Sequence, residues 1–454
     1  MRSTRNMTEG PVGRQLFFFA VPILFGELFQ QLYNTVDSAI VGTYVGTEAL
    51  AAVGATNSVT KMLVGFFLGV SIGCTTVTAR TFGADDTEKL QDTVNVIMLL
   101  SATIGVALSV IGVVITPLIL RLIHVPSDVL PLATIYLRIY FGGIMGFVLY
   151  NASTGILRAV GDSHHPLMFL IASSLLNVIL DYVLVVHAHL GVAGVALATV
   201  IAQLLAAMVC IALLMRTKET YRWIVDLHFF KRDIIRDIMD NGLPTGVQKT
   251  LTQFSNTIVV SFVTPFGADC IAGWTIYQKV NSFLLITSQS LSSSATTFVS
   301  QNVGAGKEDR IERGIRTAML YALLTNCLFI VLFLALDDPI IACFGKSAEV
   351  AAYAKRFMHS LIYFTLLQSV QSILAGGLRG LGKARAATHA MLFGLIVIRQ
   401  LYLNTITHFI NTPVSVCSSY AAGWAASAAI LLVLLLRTMR RRKESRSAMQ
   451  EGLI

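Results

Sequence analysis

Charge is what this sequence has least of: Asp, Glu, Lys and Arg make up 13% of its 454 residues, against about 25% in an ordinary soluble domain. Such a chain cannot face water over most of its surface, which excludes a soluble multidomain enzyme. Cysteine is sparse too. The six, at 74, 210, 270, 327, 343 and 417, show no CxxC and no paired spacing, so they read as small apolar packing residues and not as disulfides or metal ligands. HExxH and GxSxG are missing. Gly345-Lys346-Ser347 has Ile340 where a phosphate loop requires a glycine. No enzyme activity, catalytic residue, metal site or cofactor is expected. No cleavable leader is expected: Pro22, Glu27 and Asp37 interrupt the first apolar stretch and nothing resembles a cleavage site, so the first span is expected to be retained.

What the chain has instead is apolar length. Hydrophobic residues make up 55% of it and the mean hydropathy is +0.70. A membrane-spanning helix needs about 20 mostly apolar residues. Qualifying stretches lie near 16–45, 52–79, 93–122, 131–156, 166–187, 192–215, 244–264, 271–300, 314–336, 350–376, 386–408 and 414–437. These predict an all-α polytopic membrane protein of twelve transmembrane helices. Of the 34 Lys and Arg, 25 fall on the side of the N-terminus, four (Arg121, Lys346, Lys355, Arg356) on the opposite side and five inside spans. By the positive-inside rule both termini are cytoplasmic. The net charge of +9 is then a topology signal, and no nucleic-acid partner is expected. A multi-pass location in a bacterial-type inner membrane follows.

The chain also repeats itself. TFGADDTEKL (81–90) matches NVGAGKEDRI (302–311), and GILRAVG (155–161) matches GGLRGLG (376–382), both 221 residues apart. Upstream, Pro22, Gln31 and Asn34 meet Pro244, Gln253 and Asn256 at 222. Six spans per half give both copies one orientation, so two six-helix lobes are expected to be related by a pseudo-two-fold axis along the membrane normal, with a binding site between them. The expected divisions are an N-terminal lobe at 1–215, a cytoplasmic linker at 216–240, a C-terminal lobe at 241–437 and a basic tail at 438–454.

Polar residues interrupt the apolar runs in patterns. Glu27, Gln30, Asn34 and Asp37 are spaced 3, 4 and 3 in the first span, within about 80° of one helix face. An ionised carboxylate at mid-membrane costs about 3 kcal/mol on insertion scales, so this stripe faces protein or a wet cavity. Asn177 and Asp181 lie one turn apart in the fifth span, as do Thr199 and Gln203 in the sixth. Asp37 and Asp181 are therefore candidates for ion coupling. Glu27, Gln30, Asn34, Asn57, Gln203, Gln253, Asn256 and Gln278 are candidates for a substrate cavity. A lone amide is as readily an interhelical hydrogen-bond partner, and a structural carboxylate is the competing reading of each acid. Lys61, Lys249 and Lys279 can pair with an acid, satisfy carbonyls or snorkel. Gly65, Gly69 and Gly73 form a ladder suited to close helix packing.

QQLYNTVDSAIVG (30–42), ALAAVGA (49–55), SQNVGAGKEDRI (300–311) and GLRGLGKAR (377–385) resemble the multidrug and toxic compound extrusion (MATE) family over essentially all twelve spans. The resemblance implies a cation-coupled antiporter, driven by protons or sodium, that exports small amphipathic or cationic compounds by alternating access. In the DinF-like branch an acid of the first span works with an Asn/Asp pair in the fifth and a Thr in the sixth, which fall here on Asp37, Asn177, Asp181 and Thr199. Gln253 and Gln368 stand near the positions where the NorM-like branch expects carboxylates, which favours the DinF-like arrangement. A monomer is expected. The alternative is a lipid-linked oligosaccharide flippase of the same superfamily, whose cavity would hold several Lys and Arg.

Overall fold

A computed structural model describes residues 6–45, 47–227, 230–344 and 347–450. Among these residues every regular element is a helix. The first six spans are α1 (Val12–Tyr44), α2 (Thr47–Gly83), α3 (Thr87–Leu122), the bent pair α4 (Leu130–Gly142 and Ile144–Ala159), α5 (His164–His187) and α6 (Gly191–Arg216). The second six are α7 (Arg232–Val263), α8 (Ala268–Gly304), α9 (Glu308–Ala335), α10 (Ala348–Gly380), α11 (Ala384–Phe409) and α12 (Ser419–Gln450). Nine of the twelve hold a stretch long and apolar enough to cross a membrane, and α4 does so as one span bent by 45°. α7 and α8, at 32 and 37 residues, have the length but are too polar to pass that test. Their polarity marks helices that face protein or water along one side.

Two compact units divide the chain within α7: the first runs mainly over Phe18–Gly246, the second mainly over Val247–Val303 and from Lys307 onward. In the first, Val94, Ile97, Ile156 and Leu157 pack with Ile234 and Ile238, so the opening turns of α7 belong to this core. Two rungs of the glycine ladder explain how α7 comes so close. A Cβ on Gly69 would lie 2.4 Å from Gly246 Cα, and one on Gly73 would lie 2.4 Å from Gly242 Cα. Bare backbones touch there, as small residues allow in lipid, where packing and not the hydrophobic effect holds helices together. The segment before α7 is strapped to α3 by Asn95, which donates to Asp226 O (2.7 Å) and accepts from Trp223 Nε1 (3.1 Å). Arg80 bridges to Asp237 at 2.6 Å.

In the second unit an aromatic cluster of Trp274, Tyr277 and Phe357 fills the core. A buried polar knot joins three of its helices: Asn326 Nδ2 on α9 donates to Ser288 on α8 (2.8 Å) and to Ser369 on α10 (2.5 Å). α12 continues as helix through the basic segment, where Arg442 pairs with Glu308 and Lys443 lies 2.8 Å from Glu312.

The repeat seen in the sequence recurs in single atoms. In the first unit Ser71 Oγ donates to Asn151 O (2.8 Å) and Thr75 Oγ1 to Gly155 O (3.1 Å). In the second, Ser292 Oγ donates to Ser372 O (2.6 Å) and Thr296 Oγ1 to Gly376 O (3.1 Å), each residue 221 positions on. Gly161 and Gly382 end the corresponding helices with φ of 83° and 73°, a left-handed geometry that glycine takes without steric cost.

Candidate functional site: a polar chamber in the first unit

Five helices of the first unit enclose a cavity of about 110 Å³. α1 contributes Gln30 and Tyr33, α2 Val64 and Leu68, α4 Tyr150, Asn151 and Arg158, α5 Ser173 and Asn177, and α6 Thr199 and Gln203. Four sequence candidates, Gln30, Asn177, Thr199 and Gln203, thus share one chamber. The i, i+4 spacing on α5 and again on α6 turns each pair to the same side, and the helices pack closely enough for Asn177 Nδ2 to donate to Thr199 Oγ1 at 3.4 Å. Thr199 in turn donates back to Val195 O (3.1 Å). Asn177 Oδ1 is buried with no donor among the described residues, and Arg158 Nε is buried with no acceptor.

Asp181 is fully buried one turn beyond Asn177, outside the lining. It closes the α-helical part of α5; the next residues, Tyr182–His187, wind as a π-helix. Such bulges insert an extra residue into a turn and recur at functional sites. Glu27 is half-buried on α1. The side chains of Asn34 and Asp37 lie outside the described residues. Asn57 is exposed on α2 and does not line the chamber.

The remaining candidates belong to the second unit and form a chain of contacts there. Asn256 Nδ2 donates to Gln253 Oε1 (3.3 Å), while Asn256 Oδ1 accepts from Arg399 Nη1 (2.9 Å). The Arg399 guanidinium lies 4.9 Å from the Tyr420 ring centroid, and Gln278 hydrogen-bonds the Tyr420 side chain. Arg399 had a position inside a span but no role in the sequence reading. The signal that singled out Asp37 and Asp181, an ionisable residue in an apolar run, applies equally to LFGLIVIRQLYL. Arg158 and Arg379, two of the 25 charges counted on the side of the N-terminus, lie in the last turns of α4 and α10, half-buried and buried respectively. Arg379 Nη2 donates to Gln248 Oε1 at 2.8 Å.

Volume decides what the chamber can hold. A drug-sized ligand occupies a pocket of about 300–1,000 Å³, while a water takes about 30 Å³ of liquid. The cavity has room for an ion with several waters. Long helices, most of them apolar enough to cross a membrane, around a chamber lined by amide and hydroxyl groups are consistent with a membrane transporter. The MatE family model matches the chain twice, over residues 22–183 and 244–405, and the chain belongs to that family of transporters. Both matches are offset by the 222 residues that relate Pro22 to Pro244.

Among relatives, the probable multidrug resistance protein YoeA of Bacillus subtilis is 26% identical over 93% of this chain and 93% of its own length. The multidrug export protein MepA of Staphylococcus aureus strain MSSA476 is 23% identical over 87% of this chain and 88% of its own. The FAD transporter of Shewanella oneidensis is 23% identical over 77% and 78%. A solved outward-facing conformation of a multidrug resistance MATE family transporter superposes with a TM-score of 0.88 at 20% identity, covering 98% of this chain and 99% of that one. That likeness supports the fold of twelve helices in two lobes.

Proposed function

We propose that this transporter is an ion-coupled antiporter exporting organic cations or other amphipathic compounds by alternating access, with the chamber of the first unit as its coupling site. The observation that carries this is the meeting of Asn177 and Thr199 in a cavity sized for ions, one turn from the fully buried Asp181. In this reading Asp181 carries the coupled proton, taken up at the outside face and released inward. Asp37 is the second coupling acid in this reading, which follows the DinF-like arrangement. YoeA and MepA, named for multidrug resistance and export, support the substrate class. The protein works in a bacterial-type plasma membrane with both termini cytoplasmic, and as a monomer. A lipid-linked oligosaccharide flippase fits less well, because among the described residues Arg158 alone of the cations lines the chamber.

Counterflow in proteoliposomes tests the reading. Vesicles loaded with a cationic dye and given an imposed pH gradient, or a sodium gradient in a parallel set, should exchange dye only when one of the two ions runs down its gradient. Dye movement that ignores both gradients would overturn coupled antiport.

A further inference from the structure

We infer that Arg399 in the second unit forms a receptor for the carboxylate of an amphipathic substrate, so that this transporter accepts compounds carrying an acid as well as a cation. The inference deepens the export reading above and rests on it. Arg399 follows directly on a π-helical stretch of α11, Phe393–Ile398, and is 1% exposed. Its Nε donates to Ser255 Oγ (3.1 Å) and its Nη1 to Asn256 Oδ1 (2.9 Å), both neutral acceptors on α7. Its face lies against the Tyr420 ring at 4.9 Å. Nη2 is buried with no acceptor, and Arg399 forms no ion pair among the described residues.

A guanidinium keeps its charge in proteins and offers five donors in a planar fork that matches a carboxylate. Inside a membrane protein, an ionisable group without a counter-charge is a functional residue by default. The missing anion would accept a hydrogen bond from the unused Nη2. Asn256 stands between the guanidinium and the exposed Gln253, so an arriving carboxylate would displace a neutral amide oxygen from Nη1 and bridge Nη1 and Nη2. Charge-assisted bidentate bonds are roughly twice as strong as the neutral bond they replace.

The repeat sharpens the point. Asn256 corresponds to Asn34 at the 222 offset, and Arg399 falls at Asn177 or Val178 for offsets of 222 and 221. The stretch of the fifth span that lines the chamber beside an acid in the first unit thus corresponds to one that holds a buried cation in the second. The two copies have taken opposite charge preferences.

Tetramethylrhodamine, which carries a carboxylate, and its methyl ester, which does not, make a matched probe pair. Binding of each to the purified full-length protein in detergent would be read by fluorescence anisotropy. Wild type should prefer the acid to the ester. Arg399→Gln should lower that preference about tenfold or more, as expected for a lost hydrogen-bonded charge contact, and Arg399→Lys should fall between. Asn256→Asp, which gives the guanidinium an internal carboxylate, should also abolish the preference and stands in if Arg399→Gln fails to fold. An acid-to-ester ratio unchanged in these variants would overturn the inference. If wild type binds neither dye, the export of amphipathic compounds is what fails. Stabilisation against heat by 2-naphthoate then tests the anion receptor alone: an increase in unfolding temperature in wild type that is lost in Arg399→Gln sustains it, and no increase in wild type overturns it.

Discussion

Replacing Asp181 with Asn should change not only the rate of export but the limit it can reach. Asp181 is fully buried one turn from Asn177 in the chamber wall, and its role in the proposed cycle is to carry a proton. If Asp37 and Asp181 each carry one, two protons enter for each monovalent cation that leaves, and one net charge moves inward. A gradient of one pH unit supplies about 1.4 kcal/mol per proton, and 100 mV supplies about 2.3 kcal/mol per net charge. Together they provide about 5 kcal/mol per cycle, a limit of several thousand-fold in dye concentration. With Asp181→Asn one proton remains, the exchange becomes electroneutral, and the same gradients support only about tenfold. The assay is dye accumulation in proteoliposomes with an imposed pH gradient, with and without a potassium diffusion potential set by valinomycin. Asn has nearly the shape of Asp, so monodisperse elution and retained dye binding would show that the variant is folded. The variant should accumulate dye to the lower limit and lose its response to valinomycin. An Asp181→Asn protein that keeps both the wild-type limit and the voltage response would refute the assignment.

Two further expectations concern stability. Gly69→Ala drives a Cβ to 2.4 Å from Gly246 Cα, where backbone must move; overpacking of this kind costs about 1–3 kcal/mol. Its unfolding midpoint in detergent should drop, whereas Gly54→Ala, where a Cβ meets nothing within 4 Å, should not; equal midpoints would show that the α2–α7 contact is not tight. Asp337, in the segment between α9 and α10, is held below the usual carboxylate range chiefly by its hydrogen bond with His359, and also by Lys355. The lowered folded value means that its contribution is complete above the ordinary aspartate pKa of about 3.9 and is lost as pH falls through the lower folded value. Thermal unfolding between pH 6 and pH 3 should therefore steepen at the acid end in wild type and flatten in Asp337→Asn; parallel curves would dismiss the linkage.

The helices were legible because lipid enforces length and apolarity, and the stretches at 244–264 and 271–300 were legible too, although α7 and α8 are more polar than the rest. The bend of α4 at Gly143 was not legible, since a 45° break leaves the apolar run intact. Periodicity correctly put Asn177 with Asp181 and Thr199 with Gln203 on shared faces, because both pairs depend only on the geometry of one helix. It could not say which helices meet. Asn57, grouped with the cavity from its polarity, is exposed on α2 and is not among the residues that line the chamber. Arg158 and Arg379 were counted on the side of the N-terminus because the positive-inside rule counts charge near span ends, and a residue in the last turn of a helix counts the same whether it snorkels or is enclosed by neighbours.

Arg399 shows where such reading needs the duplicated structure. The two halves keep the same interhelical bonds, Ser71 to Asn151 O and Ser292 to Ser372 O, so helix packing has been under one constraint in both copies. Their buried polar groups have not been. The first copy has Asn177, Thr199 and Asp181; the second has Arg399 held by Ser255 and Asn256. Packing that tolerates either set does not by itself require a buried charge, because desolvating an ion costs several kcal/mol and a neutral side chain at the same place would avoid it. In the proposed cycle each charge has a use. An acid that exchanges its proton and a guanidinium that exchanges Asn256 for a substrate carboxylate each explain, by the same reasoning, why one copy carries a negative group and the other a positive one.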